Sequence, residues 1–149
     1  MIALISAMDK NGLIGTGEGL PWHIKEEYQR YLNTVKGKTI IVGRKTFEIS
    51  GKDLIDEKVL ILSKSHKGDN YFADLASALK EAGDGEVFVT GGSTIYKEAL
   101  PIADMMYLSI IKGEYEGNTY FPDFDNSEWT IIHEESLPEY DYYIYCRKT

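Results

Sequence analysis

Two adjacent carboxylates, Glu26 and Glu27, lie near the start of a segment in which apolar or aromatic residues recur at Ile24, Tyr28, Tyr31, Leu32 and Val35. That repeat is the signature of a one-sided helix over Ile24–Val35. Glu27 comes three residues after Ile24 and four before Tyr31, so it shares the apolar stripe. Glu26 points about 100° away, toward solvent. Both acids favour a helix N-terminus because they oppose its dipole, and that is one reading of the pair. The other is that Glu27 is a buried acid. A carboxylate on an apolar face needs a hydrogen-bonding partner, and a ligand can be that partner.

Two strand ends could seat a phosphate. In Val87-Phe88-Val89-Thr90-Gly91-Gly92-Ser93-Thr94-Ile95-Tyr96 an apolar strand runs into a double glycine and then a helix start. Glycine lets a ligand approach the main chain, and the helix start presents free N–H groups with a positive dipole end. Alone, Gly91-Gly92 is equally a tight turn. In Ile40-Ile41-Val42-Gly43-Arg44-Lys45-Thr46 a glycine again follows an apolar strand, and two cations open the next helix. They could hold a phosphate or be two solvated surface charges. Ligands of open α/β sheets bind at the carboxyl ends of strands, where both segments fall.

Other chemistries are poorly represented. His23, His66 and His133 lack metal-ligand spacing and there is no cysteine cluster, so no metal is expected. No serine stands in a nucleophile-elbow sequence. Gly37-Lys38-Thr39 has Leu32 where a phosphate-binding loop needs its first glycine, and it precedes a strand. Gly15, Gly17 and Gly19 fail as a dinucleotide fingerprint because no helix follows closely; they read as a mobile loop. Cys146 is the single cysteine, which excludes an internal disulfide, and it reads as a partly buried strand residue.

The elements that must hold these residues follow from the pattern. Ile2–Met8 reads as a buried strand, and Asp9–Trp22 as a long glycine-bearing loop. Gly37 ends the first helix. Thr39–Val42, Lys58–Leu62, Glu86–Thr90 and Met105–Ile111 read as strands. Arg44–Ile49 is a short helix, Asp74 caps a helix running to Ala82, and Ser93–Leu100 is a helix stopped by Pro101. Trp129–Glu135 and Tyr140–Arg147 alternate like an antiparallel pair. Strand and helix alternate about four times before this pair. The expected fold is therefore a single α/β domain with a mostly parallel central sheet, helices on both faces and an antiparallel C-terminal edge.

The chain has 149 residues and a net charge of −8, which argues against nucleic acid or an acidic membrane as partner. Residues 1–64 carry ten Lys/Arg against eight Asp/Glu, and residues 65–149 six against sixteen. Cationic contacts to an anionic ligand should come from the first half, unless the asymmetry is chance. The opening Met1–Met8 is short, lacks a preceding basic region, and reads as a strand rather than a signal peptide. A cytoplasmic monomer is the default expectation.

Five ordered segments together resemble dihydrofolate reductase: Ile14-Gly15 with Leu20-Pro21-Trp22; Glu27 with Tyr31; Gly43-Arg44-Lys45-Thr46-Phe47; Thr90-Gly91-Gly92 with Ile95-Tyr96; and Gly117-Asn118-Thr119-Tyr120-Phe121-Pro122. The resemblance implies that fold and NADPH-dependent reduction of 7,8-dihydrofolate to tetrahydrofolate. It implies that Glu27 binds the pterin through two hydrogen bonds and aids proton delivery to N5, with Ser109 beside it and Trp22 holding an ordered water. Tyr31, Leu54, Ile5, Ala7 and Thr90 would form the substrate pocket, and Leu20 with its loop the lid over nicotinamide. For the cofactor it implies Arg44, Lys45 and Lys64 as the phosphate-holding cations, with Gly43, Thr46, Leu62 and Ser63 near them. Gly91, Gly92, Ser93, Thr94 and Ile95 would lie under the pyrophosphate, and Tyr96, Ala7, Ile14, Gly15, Thr90 and Thr119 along the rest.

One position departs from the family. An arginine that grips the α-carboxylate of the glutamate tail usually precedes the strand Val59–Leu62; here the matching residue is Glu57. Lys52 or Lys58 could replace it, or the substrate could be a pterin without a glutamate tail. Asn118 in place of the usual aspartate and Ile49 in place of a small polar residue are milder changes. Two alternatives share the pattern: a reductase of the same fold acting on a tail-less pterin or a pyrimidine, and a folate- or nucleotide-binding protein without catalysis.

Overall fold

The computed structural model describes residues 1–15, 20–54 and 57–149. Strand β1 (Ile2–Asp9) lies at the centre of an eight-stranded sheet. The other strands are β3 (Thr39–Gly43), β4 (Lys58–Leu62), β5 (Tyr71–Phe72), β6 (Val87–Val89), β7 (Met105–Ile111), β9 (Trp129–Ser136) and β10 (Tyr140–Arg147), in the order β5-β4-β3-β6-β1-β7-β10-β9. The pairs from β5 to β7 are parallel. Strand β10 joins β7 and β9 antiparallel, with an irregularity at Ile144/Tyr145. A separate ribbon pairs β2 (Leu13–Gly15) with β8 (Thr119–Tyr120).

The parallel strands are apolar on both faces because both faces are covered. Along β1, Leu4 and Met8 pack with Ile41, Leu60, Val89 and Met106 against the helices α3 (Leu75–Ala82) and α4 (Ser93–Ala99). Ala3 and Ile5 point the other way. They join Ile40, Val42, Ile61 and Phe88 under α1 (Lys25–Val35) and α2 (Arg44–Ser50), which contribute Val35, Tyr31 and Phe47. A third cluster, around Trp22, Ile24, Ile111, Tyr140 and Tyr142, seats the start of α1 against the antiparallel edge.

Local signals act as expected. Asp74 accepts from Ser77 N at 2.8 Å and caps α3. Gly37 takes φ +73° just past α1, and Lys38 N closes the turn onto the Val35 carbonyl. Three short strands fall outside the expected elements. β2 occupies part of the loop expected over Asp9–Trp22, and residues 16–19 of that loop lie outside the described residues. β5 and β8 are two residues each, too short for a period-2 pattern to register.

Candidate active site

A cavity of about 650 Å³ opens along the carboxyl ends of β1, β3, β4 and β6. One limb holds the acid. Ile5, Ala7, Tyr31 and Thr90 wall it, and Glu27 reaches it from the buried face of α1, while Glu26 is exposed. Glu27 is only 8% exposed, and Ser109 Oγ on β7 donates to its Oε2 at 3.1 Å. Burial raises the Glu27 carboxyl above the usual carboxylate range, and the Ser109 hydroxyl and the charge of Arg30 pull partly against it. Tyr31 beside it has its hydroxyl pushed up to about 12, mainly by burial. Ser109 and Trp22 stand behind the cavity wall. Trp22 packs edge-on against Tyr115, with centroids 5.2 Å apart, and its Nε1 is buried with no acceptor among the described residues. Leu54, half-buried, packs into the cluster under α1 rather than onto the cavity wall.

The other limb lies where two glycine-bearing strand ends meet. Gly43 N donates to Gly91 O at 2.8 Å, and Thr90 N to Ile41 O at 3.0 Å, so the two junctions form one main-chain surface. Gly91 takes φ +119°, a conformation side-chain-bearing residues rarely adopt. Gly91 and Gly92 line this limb with Ser93, Thr94 and Thr46. Ile95 packs behind them on the core. Tyr96 joins the limbs: it lines the cavity, and its buried hydroxyl donates to Ile5 O at 2.7 Å.

Cations edge this limb. Arg44, Lys45, Lys64 and their neighbours Leu62 and Ser63 all border the cavity. Arg44 Nη1 already reaches Glu48, one helical turn on, at 2.6 and 3.0 Å. Lys45 and Lys64 are exposed and have no carboxylate partner among the described residues. A polyanion such as a nucleotide phosphate fits this edge. It needs cations not already neutralised and main chain it can approach, and both are here.

The rim is fixed by Asp9, a residue that sequence reasoning did not single out for the site. Its carboxylate is 1% exposed. It accepts from Asn11 N (2.9 Å) and Leu13 N (3.0 Å) through Oδ1, and from Tyr115 N (3.2 Å) through Oδ2. It thus holds the entry to β2 against the segment leading to β8. Gly117 allows the close approach: a Cβ there would lie 2.5 Å from Gly15 O. Ile14, Gly15 and Thr119 consequently line the cavity, with the half-exposed Leu20 opposite.

Five wall residues had not been expected at the site: Ser6, Tyr28, Ile49, Ser50 and Ser65. Tyr28 had only its place on the helical stripe; its hydroxyl pairs with the Asp53 carboxylate beyond α2. Ile49 is an exposed apolar residue at the end of a helix, which is a usable signal; the serines carry none. Of the lysines considered for a substrate tail, Lys58 is engaged elsewhere. Its Nζ reaches Glu81 O at 3.2 Å and the Glu81 carboxylate at 3.7 Å. Lys52 is exposed. Glu57 is half-buried, with Oε2 buried and unpartnered among the described residues. The described residues hold no cluster of His, Cys, Asp and Glu able to bind a metal.

A doubly covered α/β sheet, a cation-edged glycine surface and an acid-bearing pocket in one cavity define the class: a protein suited to a phosphate-bearing ligand held beside a buried acid. Residues 1–147 match the dihydrofolate reductase family. A dihydrofolate reductase of Bacillus subtilis is 36% identical over 140 residues, covering 91% of this chain and 83% of that one. One of Staphylococcus haemolyticus is 35% identical over 155 residues, covering 97% and 93%. A solved dihydrofolate reductase from Enterococcus faecalis, complexed with NADP(H) and RAB-propyl, superposes with a TM-score of 0.90 at 28% identity, covering 100% of this chain and 97% of that one. The chain belongs to the dihydrofolate reductase family.

Proposed function

We propose that this protein is an NADPH-dependent oxidoreductase that reduces 7,8-dihydrofolate to 5,6,7,8-tetrahydrofolate, with Glu27 as its acid. The observation that carries the reading is a buried carboxylate facing the same cavity as the Gly43/Gly91 main-chain surface. NADPH, when bound, supplies the hydride that reaches C6 of the pterin. Gly91, Gly92, Ser93, Thr94 and Thr46 cradle its pyrophosphate, and Arg44, Lys45 and Lys64 meet its remaining phosphate. Ile5, Ala7, Tyr31 and Thr90 hold the pterin flat and exclude water.

Glu27 accepts from the 2-amino group and the adjacent ring nitrogen, a charge-assisted pair. Burial raises its pKa, so this carboxyl takes up a proton more readily than an exposed one does and can pass it toward N5. Ser109 fixes the carboxylate. Trp22 Nε1, buried with no acceptor among the described residues, is the group that would hold a water on the proton's path. The protein works as one domain, because one continuous sheet runs through its cores; no helix of the described residues is long and apolar enough to cross a membrane. The test is the fall in NADPH absorbance with dihydrofolate. Turnover is expected with NADPH and a higher Michaelis constant with NADH; no turnover with either would leave the protein a binding module.

Glu57 bears on how the substrate's glutamate tail is held. It stands where the family's resemblance places a tail-gripping arginine, and an acid there repels the tail. Glu57→Arg is expected to lower KM for dihydrofolate about three- to tenfold, roughly 0.7–1.4 kcal/mol, with kcat nearly unchanged, since the tail binds equally in ground and transition states. KM for a dihydropterin without the tail should stay constant. If KM for dihydrofolate also stays constant, the tail is held elsewhere.

A further inference from the structure

The cationic edge of the cavity ends in a turn, 63–66, that follows β4. Ser63, Lys64 and Ser65 line the cavity, and His66 does not. Ser63 is pinned to the sheet, its N–H donating to Phe72 O of β5 at 2.9 Å. Its hydroxyl oxygen then accepts twice, from Ser65 N at 3.3 Å and from His66 N at 3.0 Å. With both acceptor positions filled, the Ser63 hydroxyl has only its proton left to give. His66 Nδ1 lies 3.3 Å from Ser63 Oγ and 3.1 Å from Ser65 Oγ, and the two hydroxyls are 3.5 Å apart. The imidazole stacks on Tyr71, with centroids 5.6 Å apart and planes 24° from parallel. One ring nitrogen is thus held against two serine hydroxyls of the cavity edge.

We propose that His66 is a positioning residue for the phosphate that distinguishes NADPH from NADH: it sets which way the Ser63 and Ser65 hydroxyls point, and so how strongly this edge prefers the phosphorylated cofactor as pH changes. The inference rests on the reading of this edge as the cofactor's phosphate site. A neutral imidazole with a bare Nδ1 draws a serine proton inward, and that hydroxyl has none left for a ligand. An imidazolium reverses the bond. Its Nδ1–H donates to Ser65 Oγ, the nearer oxygen and the one with acceptor capacity to spare, and both serine protons are released toward the cavity. Imidazolium alone combines this donor with a positive charge. A phosphate accepts and carries negative charge, so the protonated form holds it more tightly. The ribose hydroxyl of NADH is uncharged and both donates and accepts, so it gains little.

His66 is exposed and has no carboxylate partner among the described residues, where the one histidine ion pair is His133 with Glu135. The charged groups about it are Lys64, Lys67 and Asp69 on its own turn, Asp74 at the head of α3, and Arg44 and Lys45 from α2 on the same cavity edge. From β5 it meets Tyr71. Asp74 is committed to Ser77 N. An imidazole is the one side chain in this set that ordinarily changes charge between about pH 5 and 8.

The experiment is a fluorescence titration with NADP⁺ and NAD⁺, the oxidised forms that survive acid, comparing parent and His66→Gln at each pH. The 2′-phosphate takes up its own proton near pH 6, which weakens binding to both proteins alike and cancels in the comparison. At about pH 5.5 the variant should bind NADP⁺ about three- to tenfold more weakly than the parent, and at about pH 8.5 within about twofold of it. NAD⁺ should bind the two proteins alike at both values. Made in a Ser65→Ala background, the same substitution should lose at least half of its effect. The parent supplies a second measurement by linkage: NADP⁺ must raise the pH at which the His66 ring loses its proton, followed by NMR, and NAD⁺ must leave it in place. A His66→Gln effect that is equal at both pH values, or equal for the two cofactors, overturns the proposal, because a change in the shape of the turn would act in that way. An effect undiminished by Ser65→Ala also overturns it, since the ring would then act through charge alone. Should the variant not fold, the linkage measurement decides: a rise with NADP⁺ only supports the proposal, and no rise rejects it. NADP⁺ that binds without these differences sinks only the role of His66; NADP⁺ that does not bind sinks the reading of the edge and this one with it.

Discussion

Glu27→Gln should reduce hydride transfer from NADPH at pH 7 by about 10²- to 10³-fold while the NADPH dissociation constant stays within about twofold. A positioned general acid contributes roughly 10²–10⁴ in rate, and glutamine has nearly the same shape without the proton. It also replaces one of the two carboxyl oxygens that accept from the pterin with an amide group that donates. The cofactor surface is built from other residues at other strand ends, Gly43 and Gly91, and none of its hydrogen bonds runs through Glu27. Pre-steady-state transfer rates and a fluorescence titration of NADPH separate these effects.

Stability supplies an independent check. Because burial raises the Glu27 carboxyl, the unfolded chain releases its proton at a lower pH than the native one does. Above the ordinary carboxyl value the native state therefore binds more protons than the unfolded state, and stability falls with rising pH until the native group has also ionised. Glu27→Gln removes that loss. The variant should gain melting temperature relative to the parent at pH 8 and gain little at pH 4. Unchanged turnover would remove Glu27 from the chemistry; an unchanged difference between the two pH values would mean that the side chain is not effectively buried.

The central sheet was legible because its strands are buried on both faces. Ile2–Met8, Thr39–Val42 and Lys58–Leu62 are near-continuous apolar runs, as strands covered on both faces must be. Glu27 could be told from Glu26 by spacing alone, because helix geometry sends neighbours to different faces; the structure buries the first and exposes the second. Longer-range features were not legible. Asp9 follows an apolar strand and looks like a turn residue, and only the fold brings Tyr115, 106 positions away, to its second oxygen. Ser6 and Ser65 line the cavity because of where the sheet ends, and no local pattern marks a serine for that. Arg44 shows what position alone leaves out. Its position at the glycine junction was readable, but the glutamate four residues on, which takes its guanidinium, competes with any phosphate.

Gly91→Ala is expected to weaken NADPH binding by about 10- to 100-fold. Space is not the obstacle: an added Cβ would lie 3.5 Å from the Tyr96 hydroxyl and 3.6 Å from Thr46 Cγ2, both ordinary contacts. The obstacle is the backbone angle of +119°, which costs a side-chain-bearing residue on the order of 1–3 kcal/mol. Relief requires the main chain to turn, and Gly91 O cannot turn without releasing Gly43 N, so the two strand ends that make the cofactor surface shift together.

Gly83→Ala is the matching control. Gly83 also takes a positive φ, +70°, but it caps α3 and is not part of the cavity wall. Both variants should melt a few degrees lower, since about 1 kcal/mol moves a domain of this size by roughly 2–4 °C. Only Gly91→Ala should change the NADPH dissociation constant, and it should do so with the pH dependence of hydride transfer intact, because the acid limb is untouched. Equal affinities in the two variants would mean that the double glycine is a turn and nothing more, and the dinucleotide would have to lie elsewhere in the cavity.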